Sequence, residues 1–257
     1  MIHWNADPIL LQLGPLAIHW YGALFAGGFL IGYQIMQHIY RREGYPTEQL
    51  DKLLTYIFIG TVVGARLAHV IFYEPEYYFS NPIEILKIWR GGLASHGGTV
   101  GVLLAIWLFV KQHPDTRLFW LMDRLAIPTA LVACFIRLGN FMNSEIVGLP
   151  TNGSWGVVFE RIDLLPRHPV QLYEAACYAL TFLVLLSLYG LQKMKREGFG
   201  FGLFMTLIFG SRFLLEFVKT PQAAYESSFA ISVGQWLSIP FILLGIIAMV
   251  RAKPVRI

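Results

Sequence analysis

The chain has 257 residues, 56% hydrophobic and only 14% charged, with a formal charge of +4 and a mean hydropathy of +0.55. Soluble domains carry roughly 25% charged residues, so this composition excludes an ordinary water-soluble globule. The small positive excess, with no basic run interleaved with aromatics, excludes a nucleic-acid-binding surface.

In chain order, the N-terminal stretch MIHWNADPILLQLGP lacks the basic start of a secretory signal and is expected to be mature sequence. Seven segments then sustain apolar character for about the 20 residues that a hydrocarbon core demands. They are 16–39, 51–73, 92–111, 119–139, 169–191, 200–218 and 233–251. Polar punctuation separates them: RREGYPTE, EPEYYFSNP, KQHPDTR and KMKREG. The longest connection is 140–168, where Asn152-Gly153 between short Val/Trp/Phe runs predicts a small hairpin within a cap. Cys134 and Cys177 sit in apolar runs and read as inert core thiols. The predicted fold is therefore an all-α polytopic membrane protein of seven transmembrane helices. It forms one transmembrane domain, 1–257, with a small periplasmic cap at 140–168 between the fourth and fifth helices.

The positive-inside rule gives the orientation. With the N-terminus outside, inner connections hold Arg41, Arg42, Lys111, Arg117, Lys193, Lys195, Arg196, Arg251, Lys253 and Arg256. Outer connections hold Lys87, Arg90, Arg161, Arg167 and Lys219. The C-terminus is then cytoplasmic. This topology sends most ionisable groups within the spans to the outer half: Arg66 and His69, His96, Arg137, Glu174, Arg212 and Glu216. Asp123 and Arg124 fall near the inner surface, where snorkelling is easy.

An arginine at the centre of a membrane helix costs ~2.5–3.5 kcal/mol on insertion scales, so it usually faces a cavity, a partner or a substrate. Arg66, Arg137 and Arg212 come from three different helices at one depth, which suits an anionic ligand; pairing with Glu145, Glu174 or Glu216 is the plainer reading. Arg212 and Glu216 are spaced i, i+4 and are expected to pair on one helix face.

Three motifs stand out. GGLASHGGTVG (91–101) packs five glycines around His96, which predicts either local unwinding or crowding against a neighbour. His96 is then either a hydrogen-bonded core residue or a group close to substrate. No His/Cys/carboxylate spacing suggests a metal site. IRLGNFMNSEIVG (136–148) sets Arg137 and Asn140 at i, i+3 on one face, a guanidinium and an amide suited to phosphate or ester oxygens. Asn140 also suits a helix C-cap. RHPVQLYE (167–174) starts the fifth span, with Gln171 and Glu174 on one face. Gly153-Ser154 and Gly210-Ser211 lack the G-x-S-x-G arrangement of a serine hydrolase.

HWYG (19–22), SHGGTVG (95–101), RLGNFMNSE (137–145), RHPVQLYE (167–174) and RFLLEF (212–217) occur in that order across nearly the whole chain. Together they resemble the bacterial prolipoprotein diacylglyceryl transferase family. The resemblance implies a seven-helix enzyme of the bacterial plasma (inner) membrane, its active site facing the periplasm. Its implied partners are phosphatidylglycerol, prolipoprotein signal peptides with a lipobox cysteine, and the bilayer. The implied reaction moves a diacylglyceryl group to that cysteine, forms a thioether and releases glycerol 1-phosphate, with no cofactor.

By position, Arg137 resembles the lipid-binding arginine and Arg212 a second essential arginine. His96, Asn140, Gly148, Tyr21 and Glu216 match other functional positions. His96, Arg212 and Glu216 are thus the expected catalytic residues; Arg137, Asn140, Tyr21, Gly148 and Arg66 are the expected substrate-binding ones. His96 is either the base for the thiol or a positioning residue. The chain departs from some members at Ile208, where they carry tyrosine, at Lys219, where they carry arginine, and in a short segment at 160–166. A transporter or flippase for an anionic lipid is the alternative function, against which the sequence shows no inverted repeat.

Overall fold

The computed structural model describes residues 1–153, 155–220 and 232–254. Ser154 and Arg256 lie outside the described residues. The chain is mostly helical and forms two compact units, Met1–Met36 with Met122–Ile257, and Gln37–Leu121. Its long helices are α1 (Trp20–Arg42), α2 (Thr47–Phe72), α4 (Ser95–Gln112), α5 (Leu118–Met142), α6 (Val170–Gly190), α7 (Phe199–Leu215) and α8 (Val233–Arg251); α3 (Pro75–Ser80) is short. Among the described residues, five helices are long and apolar enough to cross a membrane: α2, α5, α6, α7 with its 3-10 extension to Val218, and α8. α1 and α4 match the remaining two predicted segments in place. α1 starts at Trp20 rather than residue 16 because Leu16–His19 forms strand β3, antiparallel to β2 (Ile9–Leu13).

In the smaller unit, α2 and α4 pack through two small-x-x-x-small stripes, Gly60/Gly64 on α2 and Gly97/Gly101 on α4. A Cβ on Gly60 would lie 2.5 Å from the Gly101 carbonyl oxygen, and one on Gly101 would collide with the Gly60 carbonyl. Gly97 and Gly101 therefore mark crowding against α2, and α4 is regular from Ser95 onward. Each glycine lowers helix propensity by ~1 kcal/mol against alanine, and the close backbone approach offsets it. Away from the glycine stripes, Tyr45 stacks on Trp120 with ring centroids 4.0 Å apart, and Trp120 Nε1 donates to Glu43 Oε2 at 2.6 Å. Tyr40, Leu53, Phe109 and Leu121 are fully enclosed here.

In the larger unit, α5, α6, α7 and α8 pack with the first part of α1. Cys134, Ala175, Tyr178 and Ile208 form one core cluster, and Cys134 and Cys177 are free thiols. Asp123 is not a snorkelling surface group: its side chain is wholly buried and accepts from the backbone N–H of Gly198 at 2.9 Å and of Phe201 at 2.8 Å. It caps the N-terminus of α7, where a carboxylate meets unpaired donors and the positive end of the helix dipole.

The 140–168 region is a cap seated on the end of α5. β4 (Val157–Phe159) pairs antiparallel with β5 (Pro166–Arg167), and the N-terminal strand β1 (Ile2–Trp4) joins β4 in parallel. The Asn152-Gly153 turn precedes this hairpin instead of closing it. Trp4 stacks on Phe141 at 4.3 Å and donates to its carbonyl at 3.1 Å, which ties the chain's start to α5.

Substituting Gly101→Ala is expected to lower stability by ~1–3 kcal/mol, the cost of overpacking. Gly27→Ala, whose Cβ would meet nothing within 4 Å, should leave the melting temperature in detergent close to wild type. Equal melting of the two variants would contradict the tight α2–α4 seam.

Candidate functional site

The site grows from the end of α5. Arg137 Nη1 donates to Asn140 Oδ1 at 3.2 Å, the i, i+3 contact that the sequence predicts. Asn140 is buried, and its Nδ2 donates to Glu145 Oε2 at 3.1 Å, while Asn143 Nδ2 donates to Glu145 Oε1 at 3.0 Å. The Asn140 carbonyl also accepts from Glu145 N at 2.9 Å, so this residue both ends the helix and orients the guanidinium. The turn that follows is strained. Ser144 and Ile146 have φ of 56° and 55°, a left-handed conformation unfavourable for a β-branched residue. Gln171 Nε2 holds the turn by donating to the Glu145 carbonyl at 2.5 Å. Such strain persists where surrounding contacts over-determine it.

Glu174 on α6 is the centre of the arrangement. Its side chain is fully buried, with Oε2 2.9 Å from Arg137 Nε and Oε1 2.8 Å from Lys219 Nζ. Lys219 Nζ also lies 3.4 Å from Glu216 Oε2. Arg137 thus hydrogen-bonds Asn140 through Nη1 and makes an ion contact with Glu174 through Nε, which leaves Glu174 Oε2 without a hydrogen bond. Arg137, Glu174, Tyr178 and Arg212 all belong to the larger unit.

Backbone pairing brings Lys219 inward. Leu149 N donates to Val218 O at 2.9 Å and Thr220 N to Val147 O at 3.3 Å, with Gly148 bridged to Lys219. Gly148 is required sterically, because a Cβ there would lie 2.6 Å from His168 Cβ and carbonyl oxygen. Its carbonyl accepts from Thr220 Oγ1 at 3.0 Å and Arg167 Nη1 at 3.1 Å. Gly148 thereby shapes the loop that meets Lys219. Arg167 also pairs with Asp163 and holds that carboxyl below the usual aspartate range. The clasp is accordingly retained above the ordinary aspartate pKa and lost as pH falls through the depressed one.

The expected Arg212–Glu216 pair is not formed. The Glu216 amide donates to the Arg212 carbonyl at the end of α7, but its carboxylate lies by Lys219 and against Gly234 at the start of α8. Among the described residues, Arg212 has no ion pair. Tyr21 packs on α5 beside Asn140: a Cβ on Gly139 would lie 2.8 Å from its Cδ2.

Arg66 and His96 belong to the smaller unit. Arg66 is buried and donates to the carbonyls of Glu84 (2.6 Å), Ile85 (2.9 Å), Gly91 (2.6 Å) and Gly92 (3.0 Å), with its guanidinium 4.8 Å from the Tyr78 ring centre. All three of its nitrogens donate to backbone carbonyls, which makes the residue a clamp on the segment 84–92. The clamp fixes the chain entering α4, where His96 stands exposed in the first turn. Two residues of the arrangement are absent from the expected sets, Glu174 and Lys219, the latter assigned from sequence to an outer connection. The signal for Lys219 is a second charge three residues after Glu216 in an otherwise apolar run.

Residues 8–251 match the family described as prolipoprotein diacylglyceryl transferase. A phosphatidylglycerol–prolipoprotein diacylglyceryl transferase of Tolumonas auensis is 73% identical over 249 residues, 97% of this chain and 96% of the relative. Proteins of the same name from Chloroherpeton thalassium and Porphyromonas gingivalis are 46% and 44% identical, each over 98% of this chain and 94% of the relative.

Arg66→Lys is expected not to preserve the clamp, since one ammonium cannot reproduce a planar fork on four carbonyls. Amide hydrogen exchange across 84–94 should accelerate at least tenfold, while exchange in α6 stays unchanged. Wild-type protection in the lysine variant would rule out the clamp.

Proposed function

The chain belongs to the prolipoprotein diacylglyceryl transferase family, and from that premise we propose that it transfers the diacylglyceryl group of phosphatidylglycerol to the lipobox cysteine of prolipoproteins. The products are a thioether and glycerol 1-phosphate, and the reaction is the first step of lipoprotein maturation. The observation that best supports this reading is the Arg137 guanidinium held by Asn140 and paired with Glu174, in one compact unit with Arg212, on which no described carboxylate sits. The family match disfavours the lipid-transport alternative.

In the proposed mechanism the cysteine sulfur attacks the glycerol carbon that bears the phosphate. The carbon–oxygen bond breaks, and its electron pair stays with the departing phosphate oxygen. Arg137 and Arg212 meet the growing charge in a site of low dielectric, where fixed donors act most strongly. Asn140 orients Arg137, and Tyr21 lines the α1 side beside it. Thiolate is the reactive form of cysteine, so the thiol proton must leave. His96 either accepts it or positions the peptide. Seven helices, α1, α2 and α4 to α8, span the plasma membrane in this reading. The N-terminus and the 140–168 cap are periplasmic, and the C-terminus is cytoplasmic.

Purified protein in phosphatidylglycerol proteoliposomes should add the mass of a diacylglyceryl group to a lipobox peptide with no ion gradient. Arg137→Ala and Arg212→Ala should each lower kcat/KM by roughly 10²–10³. No mass shift in the wild-type reaction would sink the proposal. A His96→Gln variant that keeps most of the rate at neutral pH would eliminate the base role and leave positioning.

A further inference from the structure

Resting on the transferase reading, we infer that Lys219 is a positioning residue that keeps Arg212 available to the lipid phosphate by holding Glu216 away from it. In an unbroken helix, Arg212 and Glu216 at i, i+4 would share a face and pair. A guanidinium neutralised in this way attracts an anionic head group weakly. The Glu216 amide still donates to the Arg212 carbonyl, so the two residues stay one α-helical turn apart and it is the carboxylate's other neighbours that draw it away. The carboxylate is then taken up by Lys219 Nζ at 3.4 Å and packs on Gly234 in the first turn of α8, where the helix dipole favours negative charge.

The lysine is held firmly for this task. Its backbone is bridged to Gly148, its side chain is only 5% exposed, and Nζ lies 2.8 Å from Glu174 Oε1. The buried groups therefore alternate in sign, Arg137, Glu174, Lys219, Glu216, and close into a balanced chain. Arg212 stands outside that chain. Removing the ammonium leaves Glu174 to Arg137 alone. It frees Glu216 of its only cation among the described residues, and Arg212, one helical turn back, becomes the carboxylate's nearest recourse in sequence.

The test compares Lys219→Met, Lys219→Arg and the double variant Lys219→Met with Glu216→Gln. KM and kcat for phosphatidylglycerol are measured with a lipobox peptide, and binding is measured separately with vesicles containing phosphatidylglycerol. Lys219→Met should raise KM and weaken vesicle binding by roughly tenfold or more, with a smaller change in kcat. Lys219→Arg should keep both near wild type. The double variant should recover most of the loss, because the carboxylate that would capture Arg212 is gone.

A merely structural lysine gives the opposite result, a double variant at least as impaired as the single one, and that overturns the inference. An unchanged KM and affinity in Lys219→Met overturns it as well. If the single variant does not fold, the double variant decides: a KM or affinity within about threefold of wild type supports the inference, and a tenfold loss ends it. Absence of wild-type turnover would bring down the transferase reading. The order of vesicle affinities across the three variants would still decide the role of Lys219.

Discussion

The buried carboxylate of Glu174 is the constraint around which the larger unit is organised. An ionised carboxylate taken fully out of water is unfavourable by several kcal/mol unless charged partners and hydrogen bonds replace its hydration. Two cations meet it, Arg137 from α5 and Lys219 from the segment after α7. Satisfying that one group fixes the end of α5, the start of α6 and the strand-like segment 218–220 in mutual register. The same demand explains the backbone pairing of Gly148 with Lys219 and the need for a residue without a side chain at 148. Neutral replacements of matched volume are often as stable as a buried ion pair. A chain that keeps charges here is therefore best understood through its chemistry, and a phosphodiester is the ligand that those charges suit.

The three arginines that look equivalent in sequence have different employments. Arg66 is spent on four backbone carbonyls and builds the entry to α4. Arg137 meets a carboxylate through Nε and an amide oxygen through Nη1. Arg212 carries no ion pair among the described residues. All three lie in long apolar helices, so the difference lies in what tertiary neighbours offer. Backbone carbonyls freed by the turns at 84–92 capture the first, and a buried carboxylate holds the second. Lys219 takes up the carboxylate that is the natural partner of the third.

Phosphate ester cleavage by displacement at carbon makes modest demands on covalent chemistry and large ones on charge. The leaving oxygen gains a full negative charge, and donors already oriented need no rearrangement as it forms. In the proposed reaction the chain supplies fixed guanidinium groups and no nucleophile of its own, because the cysteine comes with the prolipoprotein. Strain in the Ser144–Ile146 turn fits such a design. The left-handed residues place Glu145 where Asn140 and Asn143 can both reach it, and this locks the amide that holds Arg137.

The sequence by itself determined the membrane class, the places of the long helices, the Arg137–Asn140 contact and, through ordered motifs, the family. Those features depend on composition, on apolar run length and on i, i+3 spacing, all local properties of the chain. Tertiary structure alone decided that Gly97 and Gly101 serve the seam with α2, that Arg66 is a clamp and that Glu216 turns to Lys219 instead of Arg212. It also decided that residues 2–4 join the cap as a strand, since three residues carry no readable period. The physical reason is common to all of these. A charge or a glycine declares in sequence that it needs a partner, but which partner it meets depends on groups distant in the chain that only the folded backbone brings within reach.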